Sequence, residues 1–322
     1  MPGYYPKKIA VIDLGSNSSK ALISYVDQYG VVIPDDEKSF PCRLISSTND
    51  DLNIISRENI SSLLEVLGAL LKFCNNASPD HLVIVATEAI RRSSNALEII
   101  SLIEKTYSSN LFILSGEQEA KFVSKGLKCD PRIKGLSSIQ AFDLGGGSLE
   151  LIECRESSPV VAQSLQLGVL NVAKKYLANK DFAVCKESEK KVRFLLREQF
   201  SNCGLSDSSE FNLIGLGGAV YFLRKIICER KGVVGIDECN EFTLEEVAAI
   251  GNEICRLDLK NRLLSFPELP TDRADVFPVV CIIIEELMRS LNKKSFLHSF
   301  YNLRYGIASW CGTSNDPSNF PN

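Results

Sequence analysis

The stretch Asp13–Ser18 has the sequence Asp-Leu-Gly-Ser-Asn-Ser, and its pattern returns at Asp143–Glu150 as Asp-Leu-Gly-Gly-Gly-Ser-Leu-Glu. Each copy follows a short apolar run, Ile9–Ile12 in the first and Ile139–Phe142 in the second, and each leads into another apolar run. This pattern predicts a strand, a tight turn and a second strand, with an aspartate at the end of the first strand. The repetition indicates two related halves.

Glycine and serine dominate both predicted turns, Gly15–Ser18 and Gly145–Ser148. Such turns let backbone N–H groups point into one concavity, which suits phosphate oxygens. The leading residues Asp13 and Asp143 suit Mg²⁺, which uses one or two protein carboxylates and otherwise water and phosphate. We therefore expect both halves to hold one phosphorylated ligand. The alternative is that the aspartates only accept hydrogen bonds from the turns.

The composition indicates a globular protein that is long enough for two domains, with 322 residues, 45% hydrophobic and 24% charged. The formal net charge of −4 provides no basic field, so no nucleic-acid partner is expected. The N-terminal apolar run ends at Asp13, too early for a secretory signal, and the run Val279–Ile284 is too short to cross a bilayer. We expect a cytoplasmic protein with no membrane partner, with a homodimer as one option for its assembly.

The 11 cysteines are scattered, and none forms a Cys-x-x-Cys pair. The only histidines are His81 and His298, so a structural zinc site is not expected. We interpret most of the cysteines as small core residues in a reducing compartment.

Strands and helices alternate along the chain, which predicts an α/β fold. Apolar periodicity predicts a helix over Arg57–Cys74, and the apolar run Leu82–Ala86 predicts a buried strand. In the second half we predict a helix over Arg273–Leu291 and a last strand over Ser295–Phe300.

Seven short motifs follow one another along the chain: D-L-G-S-N-S at 13–18, T-x-A-x-R-x-x-x-N at 87–95, S-G-x-x-E-A at 115–120, D-L-G-G-G-S-x-E at 143–150, G-x-G-G at 215–218, D-R-A-D at 272–275 and L-R-x-G at 303–306. In this order they resemble the exopolyphosphatase and guanosine pentaphosphate phosphatase (Ppx/GppA) family of the actin-like ATPase superfamily. Each motif is weak alone, but together they cover nearly the whole chain.

The resemblance implies two ribonuclease-H-like α/β domains with the active site in the cleft between them. We place the first domain at residues 1–122 plus about 303–322 and the second at 123–302. Longer relatives append a helical region with His-Asp motifs, which this sequence lacks, so it resembles the short, two-domain class. Family members release the terminal phosphate of inorganic polyphosphate, or the 5′ γ-phosphate of guanosine pentaphosphate, with Mg²⁺ or another divalent cation.

Hydrolysis of a phosphoanhydride needs bound phosphate oxygens, charge neutralisation and a positioned water. The resemblance assigns the role of catalytic carboxylate to Glu119, which would orient or deprotonate the water. Arg91 would bind phosphate in a forked geometry, and Asn95, one helical turn further on, would share its face. The metal ligands would be Asp143, Glu150 and, more weakly, Asp13. The substrate-binding residues would be Gly15, Ser16, Asn17, Ser18, Asn95, Gly145, Gly146, Gly147, Ser148, Gly217 and Arg273.

Each assignment has a structural alternative. Glu119 could be a carboxylate favoured by a helix N-terminus, and Gly217 could be a turn glycine without ligand contact. Arg273 could be an ordinary surface residue. Lys20 occupies the position that Glu150 has in the second copy, where it could contact phosphate.

Three departures from the family pattern affect the predicted site. The segment Arg43–Thr48 lacks the glycines usual there, which would alter the approach of the ligand. Leu149 replaces a threonine whose hydroxyl could bind phosphate or metal-bound water, and Tyr305 replaces a glutamate.

We expect a Mg²⁺-dependent hydrolase of polyphosphate that prefers short chains or nucleotides, with guanosine pentaphosphate as a further substrate. The alternative is a non-catalytic sensor of a phosphorylated nucleotide, which the altered loop and Leu149 favour and Glu119 disfavours. A kinase of the same superfamily is the third hypothesis, and the S-G-x-x-E-A motif argues against it.

Overall fold

The computed structural model describes residues 6–44, 54–155, 161–177, 179, 181–233, 235 and 238–314. It divides into two compact units, Met1–Lys134 with Tyr301–Asn322, and Gly135–Phe300. The predicted boundary between residues 122 and 123 falls inside helix α4 (Gly116–Leu127), which lies entirely in the first unit. The two units thus divide the chain after Lys134, and the predicted domain bounds stay a prediction.

The first unit is built on a five-stranded sheet with the order β3-β2-β1-β4-β5. The central strand β1 (Lys7–Leu14) pairs antiparallel with β2 (Ser18–Val26) and parallel with β4 (His81–Ala86). The edges are β3 (Val32–Pro41), antiparallel to β2, and β5 (Leu111–Ile113), parallel to β4. The apolar segment of β1 is buried, as expected for a central strand that is covered on both faces.

The helices of the first unit begin at identifiable caps. Helix α1 (Arg57–Asn76) extends the predicted span by two residues, and the Ser56 side chain accepts the Asn59 N–H at its start. Helix α4 begins with a capping box formed by Ser115 and Gln118. The helices are α1 (Arg57–Asn76), α2 (Glu88–Arg91), α3 (Ala96–Tyr107), α4 and α12 (Leu303–Thr313).

The returning helix α12 crosses α4 at two glycines, Gly126 and Gly306. A Cβ atom at Gly306 would lie 1.8 Å from the Phe122 carbonyl oxygen, and one at Gly126 would lie 2.0 Å from the Asn302 carbonyl oxygen. The two backbones therefore touch, and no side chain fits at the crossing. This contact explains why α4 belongs with the C-terminal helix in one unit.

The second unit repeats this architecture around β6 (Ser138–Leu144), which pairs antiparallel with β7 (Leu149–Arg155) and parallel with β9 (Asn212–Leu216). Strand β8 (Val161–Leu165) continues the sheet beyond β7, and β11 (Ser295–His298) continues it beyond β9. A short strand, β10, is added beyond β11 at Glu241–Thr243. The order β8-β7-β6-β9-β11 matches β3-β2-β1-β4-β5, so the repeat seen in the sequence is a repeat of fold.

The predicted helix over Arg273–Leu291 is wrong at its start, because the structure divides it into α10 (Thr271–Ala274) and α11 (Phe277–Ser290). Pro278 occupies the first turn of α11 and cannot donate the hydrogen bond that a continuous helix would need there. Helix α11 is buried along most of its length, so its apolar run is a core element. The remaining helices are α5 (Val169–Tyr176), α6 (Lys186–Ser201), α7 (Gly217–Arg230), α8 (Leu244–Cys255) and α9 (Leu259–Ser265).

The predicted fold class, two ribonuclease-H-like α/β domains, is confirmed by the two sheets of matching strand order. The predicted last strand over Ser295–Phe300 ends two residues earlier, at His298. Among the described helices, none combines the length and apolar character needed to cross a bilayer. The active-site cleft between the domains stays a prediction.

Candidate functional site

The first turn, Gly15–Asn17, joins β1 to β2, with Ser18 as the first residue of β2. The Ser16 carbonyl accepts the Leu44 N–H at 3.0 Å, and the Asn17 carbonyl accepts the Cys42 N–H at 3.1 Å. The chain after β3 thus occupies the carbonyl groups of the turn, whereas the Ser16 and Asn17 N–H groups donate to no described residue. These donors remain available to an anion.

The side chain of Asn17 is 4% exposed, and its Oδ1 accepts a hydrogen bond from Arg43 Nε at 3.0 Å. Its buried Nδ2 has no hydrogen-bond partner among the described residues. A buried amide with an unused donor is costly without a partner, so a bound acceptor such as a phosphate oxygen would fit here.

Asp13 lies at the end of β1, directly opposite Lys20 on β2. Its Oδ1 is buried and makes no hydrogen bond to any described residue. Burial raises the pKa of the Asp13 carboxyl, while the charges of Lys20 and Arg304 act in the opposite direction. An ionised Asp13 therefore needs further positive charge, and a cation would supply it.

The second turn, Gly145–Ser148, is held by the N-terminus of α5. The N–H groups of Val169 and Leu170 donate to the carbonyls of Gly145 and Gly146, at 3.0 and 2.8 Å. Gly168 packs so closely that a Cβ atom there would lie 2.2 Å from the carbonyl carbon of Gly147. As in the first turn, carbonyl groups of this turn thus accept hydrogen bonds from a neighbouring segment of the chain.

Three N–H groups of the second turn, those of Gly146, Gly147 and Ser148, donate to no described residue. They are consecutive along the chain, and the side chain of Ser148 is 3% exposed. A run of unpaired backbone donors in a tight turn is an anion-binding arrangement. These three N–H groups would be the donors for the phosphate-binding role predicted for this segment.

Asp143 and Glu150 are directly opposite each other on β6 and β7, so their side chains share one face of the sheet. Glu150 is 3% exposed, and its Oε1 accepts a hydrogen bond from Ser164 Oγ at 2.8 Å. Two neighbouring carboxylates repel each other unless a cation or proton lies between them. They fit Mg²⁺, although no group of three or more His, Cys, Asp or Glu side chains suited to a metal occurs among the described residues.

Gly217 begins α7 beside Asp143, because Leu216 at the end of β9 lies opposite Asp143 in the parallel pairing. Its φ of +91° favours glycine, and a Cβ atom there would lie 2.4 Å from Asp143 Oδ1. The structure thus brings together Gly217, Asp143, Glu150 and the second turn at one edge of the second sheet.

Glu119 and Arg91, the two predicted catalytic residues, form an ion pair, with Arg91 Nη1 2.9 Å from Glu119 Oε2. Arg91 Nη1 also donates to the Leu114 carbonyl at 2.7 Å, at the end of β5. The ends of parallel β1, β4 and β5 meet at one edge of the sheet, which places this pair on the edge that carries Asp13. Glu119 is 7% exposed.

Sequence reasoning missed Glu88, the first residue of α2, which is 5% exposed. Its Oε2 accepts a hydrogen bond from Arg91 Nη2 at 2.5 Å, and Arg92 Nη1 lies 3.4 Å from its Oε1. Arg91 therefore binds two carboxylates at once. The position of Glu88, three residues before Arg91, was a signal for this ion pair in the sequence. Helix α2 is, however, too short to be recognised from apolar periodicity.

Asn95 does not share a helical face with Arg91, because α2 ends at Arg91 and Asn95 is the N-cap of α3. Its Oδ1 accepts the Ile55 N–H at 3.1 Å, and its Nδ2 donates to the Ile55 carbonyl at 3.0 Å. Both ends of the amide are used to hold the segment before α1. This geometry corrects the shared-face prediction and gives Asn95 a structural contact.

Arg273 lies on α10 in the second unit, with its side chain 14% exposed. Its Nε is 3.6 Å from Asp272 Oδ2, and its guanidinium lies 5.9 Å from the centre of the Phe222 ring on α7. Arg273 is therefore no ordinary surface arginine, and it borders the helix that begins at Gly217.

Two departures from the family pattern have visible structural consequences. Leu149 is fully buried, so it contributes to the core. The Tyr305 hydroxyl donates to Glu37 Oε1 at 2.6 Å, and Arg304 Nη2 donates to Glu37 Oε2 at 3.0 Å. Glu37 on β3 thus places a carboxylate beside Arg304, which sequence reasoning missed because no motif marks β3. Of the altered loop, residues 45–48 lie outside the described residues.

The matched sheets and the paired turns define the class of this protein, which has two ribonuclease-H-like domains. Within that class the chain belongs to the Ppx/GppA phosphatase family, whose family model matches residues 36–310. A solved structure of an exopolyphosphatase from Cytophaga hutchinsonii has a TM-score of 0.82 over 95% of this chain and 98% of that one, at 18% sequence identity. At that identity the likeness shows the fold.

Two curated relatives support the family at modest identity. Exopolyphosphatase 1 of Mycobacterium leprae is 29% identical over 53% of this chain and 50% of its own length. The guanosine-5′-triphosphate,3′-diphosphate pyrophosphatase of Pseudoalteromonas translucida is 27% identical over 92% of this chain and 58% of its own length. The chain thus spans little more than half the length of these relatives.

Proposed function

We propose that this protein releases the terminal phosphate of inorganic polyphosphate by attack of water on the phosphoanhydride, with guanosine pentaphosphate as a second substrate. The observation that carries the proposal is the pair Asp143 and Glu150 beside a turn with three unused N–H donors. Carboxylates for a cation and donors for phosphate oxygens are what a phosphoryl-transfer site needs together. The names of the curated relatives support the two substrates.

Each of the two turns would contribute backbone donors to the reaction. The N–H groups of the turns at Gly145–Ser148 and Gly15–Ser18 would bind phosphate oxygens and fix the scissile bond in place. Asp143 and Glu150 would hold Mg²⁺, with Asp13 as a further carboxylate, and the bound metal would neutralise charge on the phosphate oxygens. Gly217 keeps the space beside Asp143 free of any side chain.

Glu119 would accept the proton of the attacking water as it adds to phosphorus. Arg91 fixes the Glu119 carboxylate through one oxygen, Oε2. Burial of Glu119 limits its hydration and strengthens its interaction with Arg91. Arg273 would contribute positive charge toward the outer phosphates.

One observation supports the alternative of a non-catalytic sensor, namely that a buried Leu149 stands where the family usually has a threonine hydroxyl. A sensor would bind the phosphorylated nucleotide and release no phosphate. The hydrolase is the better proposal because Glu119 is present, buried and fixed by Arg91. A cytoplasmic location, a homodimer and the absence of a nucleic-acid partner belong to the proposal as well.

The test is phosphate release from tripolyphosphate and from guanosine pentaphosphate, with and without Mg²⁺, for wild type and Glu119→Gln. We expect Mg²⁺-dependent release that falls by about 100-fold or more in the variant, the usual range for loss of a general base. Glu117→Gln is the matched control, since Glu117 is on the same helix and its side chain is 70% exposed. Binding of either substrate without any release by wild type would favour the sensor.

A further inference from the structure

The carboxylate of Glu88 is the feature of the described site that neither the repeat nor the motifs account for. It is buried at the start of α2, a helix of four residues, and both its oxygens lie near guanidinium groups. Burial of an ionised carboxylate is costly unless charged partners compensate. A helix this short has little macrodipole to stabilise it, so the compensation comes from Arg91 and Arg92.

The Arg91 guanidinium donates hydrogen bonds to Glu88, Glu119 and the Leu114 carbonyl. A guanidinium has five N–H groups. Those of Nη1 bind Glu119 and the Leu114 carbonyl, and one on Nη2 binds Glu88. The Nε–H and the second Nη2–H donate to no described residue, and the Arg91 side chain is 18% exposed. The guanidinium is therefore anchored on its two terminal nitrogens and keeps two donors for an anion.

Arg91 lies between two carboxylates, so its positive charge is shared by Glu88 and Glu119. Arg92 approaches Glu88 only at 3.4 Å, and its side chain is 39% exposed, so solvent weakens its contribution. A polyanion that reached Arg91 would therefore meet the negative charge of Glu88 as well.

We propose that Glu88 is a positioning residue for the proposed hydrolysis, on which this inference rests, acting through Arg91. It holds the guanidinium against Glu119 in a fixed plane, and its charge limits affinity for the polyanion. Such a residue trades tighter binding for a better-oriented catalytic pair. If Glu88 had only a structural role, its substitution would lower the stability of the protein and would not lower kcat and KM together.

The experiment measures kcat and KM for tripolyphosphate with Glu88→Gln and the matched control Glu117→Gln, which removes the same charge from an exposed position. In Glu88→Gln we expect KM to fall about three- to tenfold, because one negative charge near the anion is lost, and kcat to fall by a similar factor. Glu117→Gln should leave both within about twofold of wild type. Unchanged kcat and KM in Glu88→Gln would overturn the proposal.

A double-mutant cycle tests whether Glu88 acts through Arg91. In an Arg91→Gln background, Glu88→Gln should change kcat by less than about twofold, because the residue it positions is gone, whereas KM should still fall because the negative charge near the anion is lost. Additive effects of the two substitutions on kcat would contradict the proposed route. If Glu88→Gln does not fold, Glu88→Asp keeps the charge and shortens the side chain, so kcat should fall while KM stays unchanged.

The two proposals fail in different ways. If wild type releases no phosphate from any substrate, the hydrolase proposal fails, and calorimetric binding of tripolyphosphate then tests Glu88. Glu88→Gln should bind tripolyphosphate about three- to tenfold more tightly than wild type, for the same electrostatic reason. Equal affinities would refute the inference about Glu88 whatever the activity.

Discussion

At the residue scale, the two copies of the turn differ in the side chain opposite the aspartate. Lys20 lies opposite Asp13, and Glu150 lies opposite Asp143. The first half thus pairs its aspartate with a cation of the chain itself, whereas the second half presents two carboxylates. We therefore propose the second half as the site for a metal ion and the first half as a site for an anion.

Gly217→Ala tests the geometry around Asp143. The new methyl group would lie 2.4 Å from Asp143 Oδ1 and would force a non-glycine residue to a φ of +91°. We expect the carboxylate to be displaced, with activity reduced by about 100-fold and unfolding free energy lowered by about 1–3 kcal/mol. Phosphate release and urea unfolding measure the two effects.

Gly232→Ala is the control, because Gly232 also has a positive φ, +65°, but a Cβ atom there meets nothing within 4 Å. It should cost about 1 kcal/mol of stability and leave activity unchanged. Equal losses of activity in the two variants would mean that backbone strain, and not the contact with Asp143, explains the effect.

At the element scale, α11 is fastened to α6 through buried carboxylates. Glu286 is 1% exposed, and it accepts hydrogen bonds from Arg193 Nη1 at 2.8 Å and from Arg197 Nε at 2.7 Å. Arg193 also binds Glu285 at 2.9 Å. An apolar helix in the core of the second unit is thus oriented by charge, because breaking one of these buried pairs would leave an uncompensated partner.

The Glu286 network predicts a loss of stability in acid. Burial acts to raise the pKa of Glu286, but the hydrogen bonds from Arg197 and Arg193 outweigh it and lower the pKa below the ordinary 4.5. A lowered folded-state pKa contributes stability above the unfolded value, and that contribution is lost as the pH falls through the folded value. Glu286→Gln should therefore lower the unfolding free energy by about 2–3 kcal/mol near pH 7 and by much less near pH 3.

Urea unfolding at several pH values measures this difference. Glu253→Gln is the control, since the pair of Glu253 with Arg230 is exposed and should contribute less than about 0.5 kcal/mol at any pH. A Glu286→Gln deficit that stays constant down to pH 3 would show that the loss is one of packing and not of charge.

At the scale of the whole molecule, the same fold occurs twice, with a positive side chain (Lys20) facing the aspartate in the first unit and a negative one (Glu150) in the second. Lys20→Glu would make the first half resemble the second. We expect KM for tripolyphosphate to rise about tenfold or more, because a cation beside a phosphate-binding turn becomes an anion. The melting temperature should also fall, because the buried Asp13 carboxyl loses a compensating positive charge and faces a second carboxyl.

The control is Lys72→Glu, an exposed residue of α1 that makes the same change in net charge. It should leave KM within about twofold of wild type at physiological salt, where distant surface charges are screened. An equal rise in KM in both variants would attribute the effect to net charge and remove Lys20 from the proposed site.

The repeat predicted much of the fold, because hairpin and parallel-strand patterns are local properties of the sequence. The positions of β1 and β6 and the correspondence of Lys20 with Glu150 follow from it, and β4 follows from the apolar run Leu82–Ala86. Pro278 also indicates the break before α11, but the continuous apolar pattern led to the prediction of one uninterrupted helix. The contact between α4 and α12 could not be predicted in this way, because it joins residues far apart in the chain.

The sequence alone determined the family and the two related halves, and it predicted the carboxylates of the proposed site, since these depend on motifs and on local apolar patterns. Only the tertiary structure decided which side chains share Arg91, that Asn95 binds Ile55, and that Glu37 reaches Arg304. The physical reason is distance along the chain. A side chain's partner is chosen by packing between elements, whereas a motif records only the residues that adjoin it.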